Sequence, residues 1–304
     1  MDKLLRQFKA VAQHKNLSTA CEQLHITQPA LTRNIKKLED KLGVLLFERM
    51  PRGMAITHYG EILLKRANRI EKEYMYALRE IQAVQQGEEV KLRIGADNLW
   101  AEAYLTDILS EFYRMHPLAE VRVKAGPVSS LLPKLIEGKI DVILGNIDCH
   151  VKSDLYIVKE KLVDVKFHVI ARKEHPLHQS DNIDIETLSE NKWVIYQQSD
   201  DYVWHVNELF YNKGTKPAKI SLHTAFLPQA ITLMQNHNFL MYVPDKLIGY
   251  MQQQGLFPLK SLEPIHQFNS GIWYQRNIME LHGPRSLLSI TNSHLKRAEK
   301  PSSE

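Results

Sequence analysis

Apolar residues recur at helical spacing through the first part of the chain. Leu4, Phe8, Val11 and Ala12 stand at i, i+4, i+7 and i+8, which predicts an amphipathic first helix able to cover the backs of the next two. Residues 18–24 begin on Ser18, whose hydroxyl can cap a helix; they turn Ala20, Cys21 and Leu24 to one side and break at His25-Ile26. Thr27 restarts the chain as a helix with its own hydroxyl placed to cap it, and Pro29 falls where the N–H it lacks would have no partner. Leu31, Ile35, Leu38 and Leu42 then follow at spacings of four, three and four, and Gly43 is placed to end the run. Gln28, Thr32, Arg33, Lys36 and Lys37 occupy the opposite side. A helix of about fifteen residues with amide, hydroxyl and guanidinium groups along one face matches what the major groove accepts.

Residues 45–49 and 54–57 read as two short strands around Met50-Pro51-Arg52-Gly53, which completes a winged helix-turn-helix over residues 1–58. Arg49 and Arg52 on the wing would stand beside the phosphate backbone, where contacts fix register while the helix reads bases. Thr57 can cap a long helix running to residue 86, roughly 43 Å at 1.5 Å per residue. Along it Leu63, Ala67, Ile70, Tyr74, Ala77, Ile81 and Val84 alternate by four and three, a heptad seam that predicts dimerisation through a linker helix at 59–87. Gln85-Gln86-Gly87-Glu88-Glu89 ends the helix and marks a domain boundary.

Beyond it the period changes. Strands are predicted at 90–96, 120–124 and 140–144, with helices at 100–115 and 129–137 between them, the alternation that builds a parallel sheet. A second lobe is predicted to start near Val163, with strands at 165–171, 193–196, 219–223 and 239–243; a strand at 271–274 returns to the first lobe. The domain at 88–304 then has lobe I over about 88–162 and 267–304 and lobe II over about 163–266, joined by two crossings. Ligands sit at the carboxyl ends of such strands. The candidate contacts there are Asp97, Asn98, Ser129, Ser130, Asn146, Gln198 and Ser199; each alone is ordinary cap or turn chemistry, and their convergence makes the candidate site. Asp97 disfavours an anion there unless its own capping bonds hold it, so a neutral or amine-bearing effector is as well supported as a carboxylate.

The charge is uneven. Residues 1–87 hold 15 Lys plus Arg against 9 Asp plus Glu, a net of +6, which leaves −2 for the rest out of a total of +4. Positive charge gathered on the helix-turn-helix end is the footprint of a nucleic-acid binder. With 304 residues and 44% hydrophobic content the chain can build two or three folded units. The opening Met1-Asp2-Lys3-Leu4-Leu5-Arg6 lacks the apolar stretch of a signal peptide and nowhere do eighteen apolar residues run together, so a cytoplasmic location without a membrane partner is expected. Cys21 and Cys149 stand too far apart to read as a structural pair. No metal site, cofactor motif or catalytic constellation is expected: His175-Pro176-Leu177-His178 reads as a turn, and there is no GxSxG, phosphate loop or GxGxxG.

The stretch from Leu17-Ser18-Thr19-Ala20 through Thr27-Gln28-Pro29-Ala30-Leu31-Thr32-Arg33, followed by Leu38-Glu39, Leu42-Gly43, Leu46-Phe47-Glu48-Arg49 and Thr57-His58-Tyr59-Gly60-Glu61, resembles the N-terminal domain of LysR-type transcriptional regulators. The resemblance covers about the first sixty residues. It departs at Cys21, where a second alanine is usual, and at Ala55-Ile56 in the wing. It implies an α+β multidomain protein: a mainly α winged helix-turn-helix, a linker helix that pairs two such domains, and a two-lobed α/β effector-binding domain akin to periplasmic solute-binding proteins. The implied partners are double-stranded DNA, a small-molecule effector, a second copy in a homodimer or homotetramer, and RNA polymerase. The rival readings are a two-lobed solute-binding protein, which leaves the first 86 residues unexplained, and an enzyme carrying a DNA-binding appendage.

Overall fold

The helical spacing of the first forty residues is realised as three helices, α1 (Lys3–His14), α2 (Leu17–Leu24) and α3 (Gln28–Leu42), in the computed structural model. It describes residues 2–14, 16–50, 53–86, 90–149, 156–196, 207, 210–211, 214–260 and 266–298. The chain divides into two units, Met1–Glu88 and Glu89–Glu304. In the first, Phe8, Val11, Ala20, Leu31, Ile35 and Leu46 share one core. Two caps differ from the sequence expectation. Asn16, not Ser18, caps α2, its side-chain oxygen accepting from the Ser18 N–H at 2.8 Å, because α2 starts one residue earlier. Thr27 precedes α3 in extended geometry without a side-chain cap bond. Leu42, in the last turn before Gly43 (φ 71°) reverses the chain, stays 45% exposed.

Strands β1 (Phe47–Met50) and β2 (Gly53–Ile56) pair antiparallel. β1 begins later than residue 45 because the Leu46 and Phe47 N–H groups donate to Glu39 Oε1, at 2.7 and 3.2 Å, and the Leu46 carbonyl accepts from the Thr57 N–H. Thr57 caps α4 (His58–Gln86) by accepting from the Gly60 N–H at 3.1 Å. A Cβ on Gly60 would lie 2.3 Å from the Leu46 carbonyl oxygen, so only glycine lets α4 start this close to the wing.

The second unit is built on β3 (Lys91–Ala96), β4 (Glu120–Ala125), β5 (Val142–Asn146), β6 (Ile157–Arg172), β7 (Lys192–Ile195), β8 (Lys219–His223), β9 (Phe239–Pro244), β10 (Leu256–Pro258) and β11 (His266–Gln275). Its described strands run in the order β4-β3-β5-β11-β6-β9-β7-β8, with β10 against β6. Each lobe has a parallel trio, β4-β3-β5 or β8-β7-β9, as βαβ alternation requires. The parallel sheet expected over residues 90–144 is the β4-β3-β5 trio; between the two trios β6 and β11 lie antiparallel along one another. The strand expected at 165–171 is the far half of β6, sixteen residues long and common to both lobes. The register of β6 and β11 slips between Ser270 and Gly271, where a Cβ on Gly271 would fall 1.9 Å from the Glu160 carbonyl oxygen.

The single helix expected over 100–115 is two, α5 (Asn98–Ala103) and α6 (Leu105–Met115). They part at Tyr104, which leaves helical geometry (φ −129°, ψ −36°) and lies with its ring centroid 4.9 Å from that of Trp100. Helix α7 (Val128–Ile136) follows β4, and α8 (Ile185–Glu190) precedes β7.

Candidate functional site

Two surfaces collect the predicted side chains. On α3 the residues that build the core, Leu31, Ile35 and Leu38, are buried, which fixes the helix by its back and turns the opposite side outward. Two rows at i, i+4 spacing result, Gln28-Thr32-Lys36 and Pro29-Arg33-Lys37. Thr32 is half-buried and the other five are exposed. The face is about 22 Å long, polar and positively charged, and can lie along a groove lined with phosphates. Ser18, in the first turn of α2, and Thr27, just before α3, are exposed, with neither hydroxyl acting as a cap. The backbone of Arg49 lies in β1 opposite Met54, and Arg52 falls outside the described residues.

The α4 seam divides. Ala67 is completely buried, which corrects it from a partner contact to an interior one, while Leu63 packs half-buried against the domain core. The cause is α1, which lies on this stretch and pairs its buried Lys9 ammonium with Glu71. Ile70, Tyr74 and Ile81 are each about half exposed and Ala77 is exposed with them, a continuing four-three stripe. Val84 lies on the helix, its side chain outside the described residues.

In the second unit the ends of β3, β4 and β5 converge. Asp97 ends β3 and caps α5: Oδ1 accepts from the Trp100 N–H at 3.1 Å and Oδ2 from the Asn146 N–H at 3.2 Å. The carboxyl is buried, and burial pushes its pKa up to about 6 against the pull of those N–H groups. With both oxygens engaged by the main chain, Asp97 pins α5 to β5. Asn98 donates from Nδ2 to the Tyr196 carbonyl at 3.3 Å, across the lobes. Asn146 is turned onto its own loop, Oδ1 accepting from the Asp148 N–H at 2.8 Å. Ser129 and Ser130 are exposed in the first turn of α7, which opens at Val128 rather than Ser129; Ser130 donates to the Pro127 carbonyl at 2.9 Å. Gln198 and Ser199 fall outside the described residues.

Sequence reasoning missed the partners of these residues. Trp100 is buried and donates from Nε1 to Ser270 Oγ at 2.8 Å, while the Tyr196 hydroxyl donates to Glu102 Oε1 at 2.9 Å. The i, i+4 spacing of Asn98 and Glu102 was the available signal, since it sets both on one side of α5. His175 precedes a 3₁₀ turn over Pro176–Gln179, its Nδ1 accepting from the Leu177 N–H at 3.2 Å. Among the described residues no three His, Cys, Asp or Glu side chains are grouped to hold a metal ion, and no helix is long and apolar enough to cross a membrane.

A model described as a bacterial regulatory helix-turn-helix protein of the lysR family matches residues 3–61, and one described as a LysR substrate binding domain matches residues 85–277. Relatives include the HTH-type transcriptional regulator TdcA of Escherichia coli (strain K12), 25% identical over 88% of this chain and 84% of that protein. MetR of the same strain is 27% identical over 89% of this chain and 81% of its own. DgdR of Burkholderia cepacia is 34% identical over 53% of this chain and 54% of its own. Among solved structures, full-length BenM superposes with a TM-score of 0.57 at 23% identity, covering 99% of this chain and 100% of that one. Full-length CbnR in complex with its target DNA gives 0.51 at 20% identity, with the same coverage.

Proposed function

The chain belongs to the LysR family of DNA-binding transcriptional regulators, which pair a helix-turn-helix domain with an effector-binding domain, and we propose how its own residues divide that work. Residues 1–58 bind DNA, 59–87 form the dimerising linker, and 88–304 hold the effector between lobe I (88–162 and 267–304) and lobe II (163–266). Bases are read by Gln28, Pro29, Thr32 and Arg33, with Ser18, Thr27, Lys36, Lys37, Arg49 and Arg52 on phosphates. The single observation that carries this reading is the outward side of α3, where two polar and basic rows back onto the buried Leu31, Ile35 and Leu38. Two copies join through Ile70, Tyr74, Ala77 and Ile81 and span paired half-sites of an imperfect palindrome, as dimer or tetramer. A protein whose partner is chromosomal DNA works in the cytoplasm, and none of these roles needs a catalytic step.

The effector site lies at Asn98, Ser129, Asn146 and Gln198, beside the pinned Asp97. A metabolite touching both lobes favours one lobe angle and so shifts an existing equilibrium of the regulator. Binding to the intergenic DNA beside the gene tests the first half. Arg33→Ala is expected to lose about 1–3 kcal/mol on the specific site and little on random DNA, whereas Arg52→Ala weakens both alike and flattens the salt dependence. Equal losses for both variants on both DNAs would overturn the base-reading assignment. A thermal-shift panel of amino acids, aromatic acids, dicarboxylates and amines tests the second half; a ligand that stabilises Ser129→Ala and Gln198→Ala as well as the parent places the pocket elsewhere.

A further inference from the structure

Helix α5 touches both lobes unequally. Toward lobe I it buries Leu99 and Trp100, is capped by the buried Asp97 that also takes the Asn146 N–H, and is tied to Ser270 on β11 by the Trp100 indole. Toward lobe II it offers Asn98, Glu102 and Ala103, the last packed on the cluster of Ile170, Val194, Leu227 and Met241. Asn98 and Glu102 are separated by about 6 Å along the helix. Tyr196, at the end of β7, lies across that span: its carbonyl accepts from Asn98 Nδ2 at 3.3 Å and its hydroxyl donates to Glu102 Oε1 at 2.9 Å.

We propose that Tyr196 is the positioning residue of the inter-lobe cleft, a two-point latch that holds lobe II against α5, and that the lobes part at this contact when they open. Lobe I grips α5 by buried groups, whereas lobe II holds it by two partly buried hydrogen bonds, by Ala103 and by the 3₁₀ turn Asp245–Leu247 that packs beside it, so opening breaks the second set first. Burial and the Glu102 carboxylate both hold the Tyr196 phenol above its ordinary range, so it stays a hydrogen-bond donor at neutral pH. The inference rests on the reading of this cleft as the effector site. An effector that enters between Asn98 and the Tyr196 carbonyl has to take over that bond. One that settles beyond it gains from a latch already shut.

The test uses the full chain with Cys21→Ser and Cys149→Ser, nitroxide labels at Lys139→Cys in lobe I and Lys219→Cys in lobe II, and excess unlabelled chain to dilute out distances between protomers. Pulsed dipolar spectroscopy is expected to give one inter-lobe distance population in the parent. In Tyr196→Phe and in Glu102→Ala a longer population should become several-fold more occupied, the double variant should be no more open than either single one, and Glu102→Gln, whose amide oxygen still accepts, should restore the parent distribution. Glu102 is exposed, so its substitution carries the test even if Tyr196→Phe fails to fold. Unchanged distributions in both single variants overturn the latch, and leave the effector reading standing if a metabolite from the panel still shifts the melting temperature. Opened distributions in a protein that no metabolite stabilises support the latch and count against the effector reading.

Discussion

The outer face of α3 and the cleft around α5 are both polar surfaces backed by an apolar core, yet they are made in opposite ways. On α3 every participating side chain comes from fifteen consecutive residues and points away from the protein, so its groups are left for a partner. Around α5 the polar groups come from segments up to 170 positions apart and are largely spent on one another. Asp97 answers main-chain N–H groups, Asn98 and Glu102 answer Tyr196, and Asn146 answers its own loop. A surface built from one helix can wait for DNA without reorganising, whereas a ligand between the two lobes would have to exchange existing hydrogen bonds, which would make that surface responsive.

That contrast can be broken most severely at the seam. Ile70→Lys sets like charges across a two-fold axis where a half-exposed apolar side chain stood. Losing the tether between two DNA-binding domains is expected to lower affinity for paired half-sites by about 10²–10⁴-fold, with affinity for a single half-site nearly unchanged. Sedimentation of the variant beside the binding titrations checks both; a variant that stays fully dimeric and keeps its paired-site affinity removes α4 as the principal contact. Ala67→Val probes the corrected part of the seam. It should disturb the first unit's own packing rather than assembly, since Ala67 is already buried within the chain.

The next largest effect lies in the cleft and depends on pH. Asp97 is raised from 3.8 to about 6, so the folded unit holds this proton more tightly than the unfolded chain does. Its stabilising share, on the order of a few kcal/mol, is fully present below about pH 4 and is lost as pH rises through about 6. All four tryptophans, at 100, 193, 204 and 273, lie in the second unit, so tryptophan fluorescence follows that unit alone. Urea midpoints taken across this window should fall for the parent relative to Asp97→Asn, which cannot titrate. A constant difference between the two would show that the buried carboxyl does not set the pH dependence.

The smallest effects separate two threonines. Thr57→Ala removes a cap bond and should destabilise the first unit by about 1 kcal/mol. Thr27→Ala removes none and should leave circular-dichroism melts nearly unchanged while weakening DNA binding. Equal melting losses would mean that the two hydroxyls play one role.

These expectations mark where the sequence was readable. The three N-terminal helices follow from period and turn residues within a few positions of each feature, so Leu31, Ile35 and Leu38 declared both a core and, by subtraction, an exposed polar face. The caps were less legible, since Ser18, Thr27 and Asn16 are all competent and the choice among them depends on where the preceding turn leaves the chain. The cleft was legible only as a list of polar residues near strand ends. Which of them are consumed was set by partners 49 and 98 positions away and by the long β6–β11 pair, whose antiparallel crossing no local pattern encodes. Ala67 is the same lesson within the first unit. Its heptad spacing is equally good for a partner helix and for α1, and α1 is nearer.

Selection of binding sites from a random double-stranded library by the full chain, in parallel with Arg33→Ala, tests the central claim that the outer face of α3 reads bases. The parent should enrich an imperfect palindrome of two half-sites, and Arg33→Ala should enrich the same palindrome with preference relaxed at one base pair in each half. An identical motif from both proteins, or no motif from the parent, would contradict it.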